Sequence, residues 1–171
     1  MTRRSVAVAP FLVLAMAGTV LGFNEPEGFR GVPWGATEKQ MRSSVSSPPT
    51  CEDFPKAERW SGHRYCFTQF PIGDVIVDAM YRFRADKFVR VGLHFAPKDF
   101  DRLGAIFVER YGPPTNKSRD AFVWTGATTE ISLHRYVGSS SQGYASIATQ
   151  AEIRESTRLR EEQTKGAAKG L

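Results

Sequence analysis

Hydrophobic and polar residues alternate through two long stretches of the chain, and each stretch predicts three antiparallel strands. In the first, strands are predicted over 64–70 and 75–84, and a tight turn at 85–87 leads into a third strand that runs to Phe95. The positions that recur on one face of the last two strands are apolar: Val75, Val77, Ala79, Tyr81, Phe83, Val89, Val91, Leu93 and Phe95. A period of two sends successive side chains to opposite faces of a strand. The pattern therefore predicts a meander with one apolar and one largely polar face.

The second stretch repeats this arrangement nearer the C-terminus. Strands are predicted over 120–125, 129–134 and 144–149, and the last two are joined by a Gly/Ser-rich loop at 138–143. A short extended segment at 29–34 precedes both meanders. The sequence thus predicts about six or seven strands in total.

Two helices are predicted, one before each meander. Residues 37–40 fit a capping box, S/T-x-x-E/Q, and the two prolines at 48–49 end the short helix that follows. A longer helix is predicted between Pro97 and Gly112, because apolar residues recur there every three or four positions, as on one face of a helix. These residues are Phe100, Leu103, Ile106, Phe107 and Tyr111. The predicted fold class is α+β: an antiparallel sheet with both helices on its apolar face, in the order helix plus three-strand meander, twice.

The N-terminus has the pattern of a secretory signal peptide. Arg3 and Arg4 precede an uncharged apolar run at 6–17, and small residues suit cleavage after Ala17 or Gly22. The uncharged run is also long enough to span a bilayer, which leaves a membrane anchor as the alternative. Lipidation is excluded, because the residue that follows the lipobox-like segment is a phenylalanine and not a cysteine.

The rest of the chain divides into one domain and a tail. We assign 1–22 to the signal peptide, 23–150 to a single α+β domain, and 151–171 to a charged helical or disordered tail. The chain has 171 residues, of which 23 are basic and 18 acidic, and 41% are hydrophobic. That is enough for one hydrophobic core. Basic residues are interleaved with acidic ones, so no nucleic-acid partner is predicted.

The two cysteines, Cys51 and Cys66, predict a disulfide if the protein reaches an oxidising compartment. The alternative is a metal site formed by both cysteines and His63. That spacing matches no zinc pattern and lacks a fourth ligand. No metal or other cofactor is predicted, and the expected location is periplasmic or secreted.

Candidate chemistry is confined to the polar face of the predicted sheet. Motifs of the H-E-x-x-H, C-x-x-C and P-loop types are absent from the sequence. The catalytic candidates are His94, His134 and Glu130, because a histidine beside a carboxylate can transfer protons. The ligand-binding candidates are Arg82, Arg84 and Arg90, because arginines can hold an anion. The alternative is that a half-exposed sheet needs polar residues on its outer face.

Three short segments carry a resemblance to a family. They are Gly28-Phe29-Arg30-Gly31-Val32-Pro33-Trp34-Gly35, Arg110-Tyr111-Gly112-Pro113-Pro114-Thr115 and Trp124-Thr125-Gly126. The chain resembles small uncharacterised bacterial periplasmic proteins in which a G-F-R-G-x-x-W-G segment follows the signal peptide. This resemblance implies a periplasmic α+β domain and no known activity. The order of elements is also similar to β-lactamase-inhibitor-like and outer-membrane-assembly accessory folds, a likeness of fold alone.

We therefore expect an exported, non-enzymatic binding or envelope-accessory module. One alternative is a small periplasmic hydrolase that uses His94 or His134. Another is a protein inhibitor of an exported hydrolase, with Trp60 as a surface anchor. The expected partner is an envelope or exported protein, and a membrane is expected only if the signal is not cleaved.

Overall fold

The computed structural model describes residues 22–53, 62–136, 138 and 141–168. The predicted signal peptide up to residue 21 and Trp60 lie outside the described residues. The fold is α+β, as predicted, with a large antiparallel sheet. A short hairpin and three helices accompany this sheet.

The large sheet has eight strands, whose order in the sheet is β3-β4-β5-β6-β10-β9-β8-β7. The strands are β3 (Thr50–Asp53), β4 (His63–Ile72), β5 (Val75–Arg84), β6 (Lys87–Phe95), β7 (Asn116–Lys117), β8 (Ala121–Thr125), β9 (Thr129–His134) and β10 (Gly143–Thr149). Two four-strand meanders therefore run outward from the central β6–β10 pair. Each meander follows a helix, so the repeated unit is a helix plus four strands rather than the predicted helix plus three.

The two additional strands lie at the edges of the sheet. β3 pairs with β4, and β7, of only two residues, pairs with β8. The sequence did not predict them, because such short edge strands show too few alternations to reveal a period. β3 places Cys51 opposite Cys66, and the predicted disulfide between them is confirmed.

The G-F-R-G-x-x-W-G segment forms a separate hairpin of β1 (Gly28–Phe29) and β2 (Val32–Pro33). Arg30 and Gly31 both have positive φ angles, 49° and 81°. A two-residue hairpin turn of this kind requires positive φ at both positions, and only glycine adopts it without strain. Phe29 and Val32 are buried in the main core. The segment thus has a structural role.

Helices α1 (Glu38–Ser44) and α2 (Phe100–Tyr111) contribute to the core on the apolar face of the sheet. The capping box is present: Thr37 accepts a hydrogen bond from the Gln40 amide, and the Gln40 side chain accepts one from the Thr37 amide. Met41 of α1 is fully buried in the core cluster. Phe107 of α2 packs against Trp124 of β8, with ring centroids 6.1 Å apart.

One core position differs from the sequence pattern because β6 contains a bulge. Arg82 pairs with Arg90 and Phe83 pairs with Phe88, so Val89 has no partner in β5. An extra residue on one strand reverses the alternation beyond it. Phe88 is therefore fully buried, whereas Val89, which was predicted to face the core, is only partly buried.

A segment before the first hairpin ties the N-terminal part of the domain to the β8–β9 turn. The Glu25 carboxylate accepts hydrogen bonds from the backbone amides of Ala127, Thr128 and Thr129 and from the Thr128 hydroxyl. These hydrogen bonds lower the pKa of Glu25 from 4.5 to about 2, and the bond from the Thr128 hydroxyl has the largest effect. The carboxylate thus acts as an anionic cap for three turn amides.

The third helix, α3 (Gln150–Ala168), comes from the charged tail and packs on the polar face of the sheet. The sequence predicted a charged tail over 151–171, either helical or disordered. The tail is helical up to Ala168, and it is not fully solvated, because Glu152 and Ser156 are buried. Within the described residues, no helix has the length and apolar character needed to cross a membrane.

Candidate functional site

Helix α3 is held on the polar face of the sheet by a buried carboxylate. Glu152 has no exposed surface. Its oxygens lie 2.8 Å from an Arg82 nitrogen and 3.4 Å from an Arg84 nitrogen, and it accepts a hydrogen bond of 2.9 Å from the Ser156 hydroxyl. Arg82 and Arg84, two of the predicted ligand-binding arginines, therefore have a carboxylate partner within the protein. Their observed contacts fix α3.

Beside this anchor, a cavity of about 470 Å³ lies between α3 and the sheet. We call it the α3 pocket. Its sheet wall consists of Arg90, Glu130, Ser132, His134, Tyr144 and Ser146, its helix wall of Ile153, Ser156, Thr157 and Arg160, and its mouth of Tyr136 and Gly138. Most of these side chains carry a hydrogen-bonding group, and Ile153 and the tyrosine rings add apolar surface, so the lining is mixed.

Arg90 lies next to the buried anchor but does not share its carboxylate. Its Nε atom is buried without a hydrogen-bond partner, and no ion pair joins Arg90 to another described residue. Burial lowers the pKa of Arg90, and the neighbouring charge of Arg82 lowers it further. The pocket thus contains a partly buried cation with no protein carboxylate bound to it.

Ser146 is a second polar group without a partner. Its residue is 7% exposed, and its hydroxyl oxygen is buried without a hydrogen bond. In the sheet it lies between Gly92 of β6 and Ser132 of β9. Ser146 also belongs to the lining of the α3 pocket.

Tyr144 divides the polar face into two regions. It pairs with His94 on one side and with His134 on the other, and its ring centroid lies 5.0 Å from that of His94. The ring extends over Gly92, where an added Cβ atom would lie 2.8 Å from the Tyr144 hydroxyl. The absence of a side chain at Gly92 therefore makes room for Tyr144.

The structure separates the predicted catalytic residues. His134 and Glu130 line the α3 pocket, whereas His94 lines a different cavity with Asp78 and Phe67. No hydrogen bond links His94 or His134 to a carboxylate in the part of the chain that is described. Three of the six predicted residues, Arg90, Glu130 and His134, thus share one pocket.

Sequence reasoning missed the rest of the pocket for two different reasons. Tyr144 and Ser146 alternate with the core residues Ala145 and Ile147, so the period of two could have identified them. Arg160 could not have been found in this way, because it belongs to α3 and its position depends on how that helix docks.

A metal centre is not supported at the cysteines. Ligand atoms of Glu38, Cys51 and Cys66 lie within 4.8 Å of one another, but both sulfur atoms are bonded in the disulfide. His63, the third residue of the alternative metal site, lies on the opposite face of β4 from Cys66, because three positions separate them in a strand of period two. The metal alternative is therefore wrong for this cluster.

Comparison of the chain with protein-family models, with curated proteins and with solved structures finds no match.

Proposed function

We propose that this chain is an exported, non-enzymatic binding module that holds a small ligand in the α3 pocket. The observation that carries the proposal is the pair of buried polar groups, Arg90 Nε and Ser146 Oγ, that lack partners in the same cavity. Leaving such a group unpaired costs about 1–3 kcal/mol. A ligand that bonds to the Arg90 and Ser146 side chains, with small rotations that bring these two atoms to the pocket surface, would recover this cost.

The dimensions of the pocket support this proposal. Its volume of about 470 Å³ falls within the range of roughly 300–1,000 Å³ that is typical of small-molecule sites. Tyr136 at the mouth is 56% exposed, so its aromatic ring is available for contact with a ligand. Helix α3 covers the pocket and keeps its sheet wall partly out of water.

Binding is favoured over catalysis by the arrangement of the histidines. General acid–base catalysis needs a histidine whose orientation is fixed within hydrogen-bond reach of its partner. Neither His94 nor His134 hydrogen bonds to a carboxylate among the described residues, and the two line different cavities. Export is supported by the signal-like N-terminus and by the Cys51–Cys66 disulfide.

The proposal can be tested by screening a small-molecule fragment library against the full domain by NMR. We expect the largest amide shifts at Ser132, Tyr144 and Ser146. A Ser146→Leu variant, which fills the pocket, should lose these shifts. Thr125→Leu is the matched control, because Thr125 is exposed on the same sheet face outside the pocket.

Two further measurements make the screen decisive. Thr157→Trp blocks the pocket from the exposed side of α3 and should abolish binding even if Ser146→Leu proves unstable. Shifts that persist in both variants would contradict the proposal. Chemical conversion of a bound compound by the wild type, but not by His134→Ala, would instead favour the hydrolase alternative.

A further inference from the structure

We infer that the ligand of the α3 pocket is a small organic anion, bearing a carboxylate or phosphoryl group that binds to Arg90. This inference rests on the proposed function, since it names the chemical class of the ligand in the same pocket. It is carried by the distribution of charge on the polar face of the sheet.

The arginines of this face fall into two groups. Arg82 and Arg84 converge on Glu152, at 2.8 and 3.4 Å, so that one buried carboxylate serves both cations. Arg90, on the neighbouring strand, is left without an ion pair in the described structure. Burial of an unpaired charge is costly, and a bound anion is the usual way to offset that cost.

A second cation lines the pocket from the helix wall. Arg160 projects from α3 into the pocket lining and, like Arg90, forms no ion pair with any described residue. A guanidinium group presents donors in a planar fork that matches the oxygens of a carboxylate or phosphate. The sheet and the helix thus each supply one such fork.

Neutral donors complete the site. The Ser146 hydroxyl is buried and unbonded, and the Tyr144 hydroxyl lies above Gly92, on the strand that carries Arg90. Hydroxyl groups can donate to an anionic oxygen without adding charge. One carboxylate, that of Glu130, also lines the pocket, but it forms no ion pair with Arg90. Two arginines against one glutamate leave the pocket net positive.

The volume indicates an organic anion rather than an inorganic one. A cavity of about 470 Å³ is many times larger than a single phosphate or sulfate ion. Ile153 and the rings of Tyr136 and Tyr144 supply apolar surface beside the cations. In a ligand that joins an anionic group to a ring or a short carbon skeleton, the anionic group would bind the arginines and the ring or skeleton would pack against the apolar surface.

The test compares probes of similar shape and different charge. The full domain is titrated with benzoate, with phenyl phosphate and with the neutral amide benzamide, while amide shifts at Ser146 and Tyr144 are followed by NMR. We expect one or both anions to bind at least about tenfold more tightly than benzamide, as a charge-assisted hydrogen bond allows. The stronger anion identifies the group that the site prefers.

Variants then connect this preference to Arg90. We expect Arg90→Gln to weaken anion binding at least about tenfold and to leave benzamide binding unchanged. Arg154→Gln is the matched control, because Arg154 is an exposed arginine of α3 outside the pocket. The ligand-free Arg90→Gln protein should melt at or above the wild-type temperature, since it loses an uncompensated charge.

The outcomes separate the two proposals. Benzamide binding in the pocket as tightly as the anions would overturn the inference and leave the binding function intact. A clearly lower melting temperature for Arg90→Gln would assign Arg90 a structural role and would also overturn it. If no ligand from the fragment library or the probe set binds in the pocket, the proposed function itself fails.

Discussion

The clearest energetic prediction concerns Glu152, the carboxylate that holds α3 on the sheet. In a Glu152→Gln variant, Arg82 and Arg84 lose their shared counter-charge while the shape of the side chain is kept. Arg82 is the more sensitive partner, because it is buried and only 2.8 Å from the carboxylate, whereas Arg84 is partly exposed. Removing one partner of a buried ion pair typically costs 3–5 kcal/mol. Because water can still solvate Arg84, we expect a loss of about 3 kcal/mol.

The loss should appear first as detachment of α3. Only Glu152 and Ser156 of this helix are buried, so few other contacts hold it in place. Hydrogen exchange should therefore accelerate in residues 152–160 of the variant, while the strands β4 to β6 remain protected. Urea unfolding, followed by circular dichroism, gives the change in the free energy of unfolding.

Two comparisons sharpen this test. Glu155→Gln removes a partly exposed carboxylate of the same helix, 3.6 Å from Arg84, and should cost much less stability than Glu152→Gln, because water and salt screen this pair. The double variant Arg82→Met with Glu152→Met removes both charges and should recover much of the stability. A Glu152→Gln variant that loses less than about 1 kcal/mol, with unchanged exchange in α3, would refute the reasoning.

Two further predictions concern the N-terminal segment and α2. The folded-state pKa of Glu25, about 2, lies below the value of 4.5 expected when unfolded, so its stabilisation is complete above about pH 5 and is lost as the pH falls towards 2. In urea unfolding at pH 7, we expect the Glu25→Gln variant to be less stable than the wild type by about 2 kcal/mol, a value already reduced for the partial exposure of Glu25 to solvent. The difference in stability should vanish near pH 2. Gly104→Ala should destabilise the protein by about 1–3 kcal/mol in the same assay, because the added Cβ atom would lie 2.7 Å from the Phe122 ring.

Each of these predictions has a control within the chain. Glu27 is exposed, and its side chain forms no hydrogen bond to the described residues, so Glu27→Gln should change stability little at any pH. Gly166 lies in α3 with nothing within 4 Å of an added Cβ atom, so Gly166→Ala should be neutral or stabilising. A pH-independent effect of Glu25→Gln, or a stabilising Gly104→Ala, would contradict the respective argument.

Much of the candidate site was visible in the alternation of polar residues. Arg90, Glu130 and His134 were predicted on the polar faces of two meanders, and the structure brings them into one pocket because β10 joins those meanders. His94 has the same periodicity but lines another cavity, because Tyr144 lies between the two histidines. Periodicity assigns a residue to a face but not to a cavity on that face.

The sequence by itself determined the features that depend on near neighbours along the chain. These include the capping box at Thr37, the long helix that ends at Tyr111, most strands of both meanders and the cysteine pairing. Each follows from backbone geometry with a fixed period, or from the chemistry of two matching side chains.

Tertiary structure alone decided how these elements meet. Because of the bulge in β6, Phe88 is buried in the core and Val89 is not. The packing of α3 places a carboxylate beside Arg82 but leaves Arg90 without an ion pair among the described residues. Both outcomes depend on contacts between residues that are distant in sequence, for which the local pattern carries no signal. The unpaired charge in the α3 pocket therefore became visible only once the charged tail was placed on the sheet.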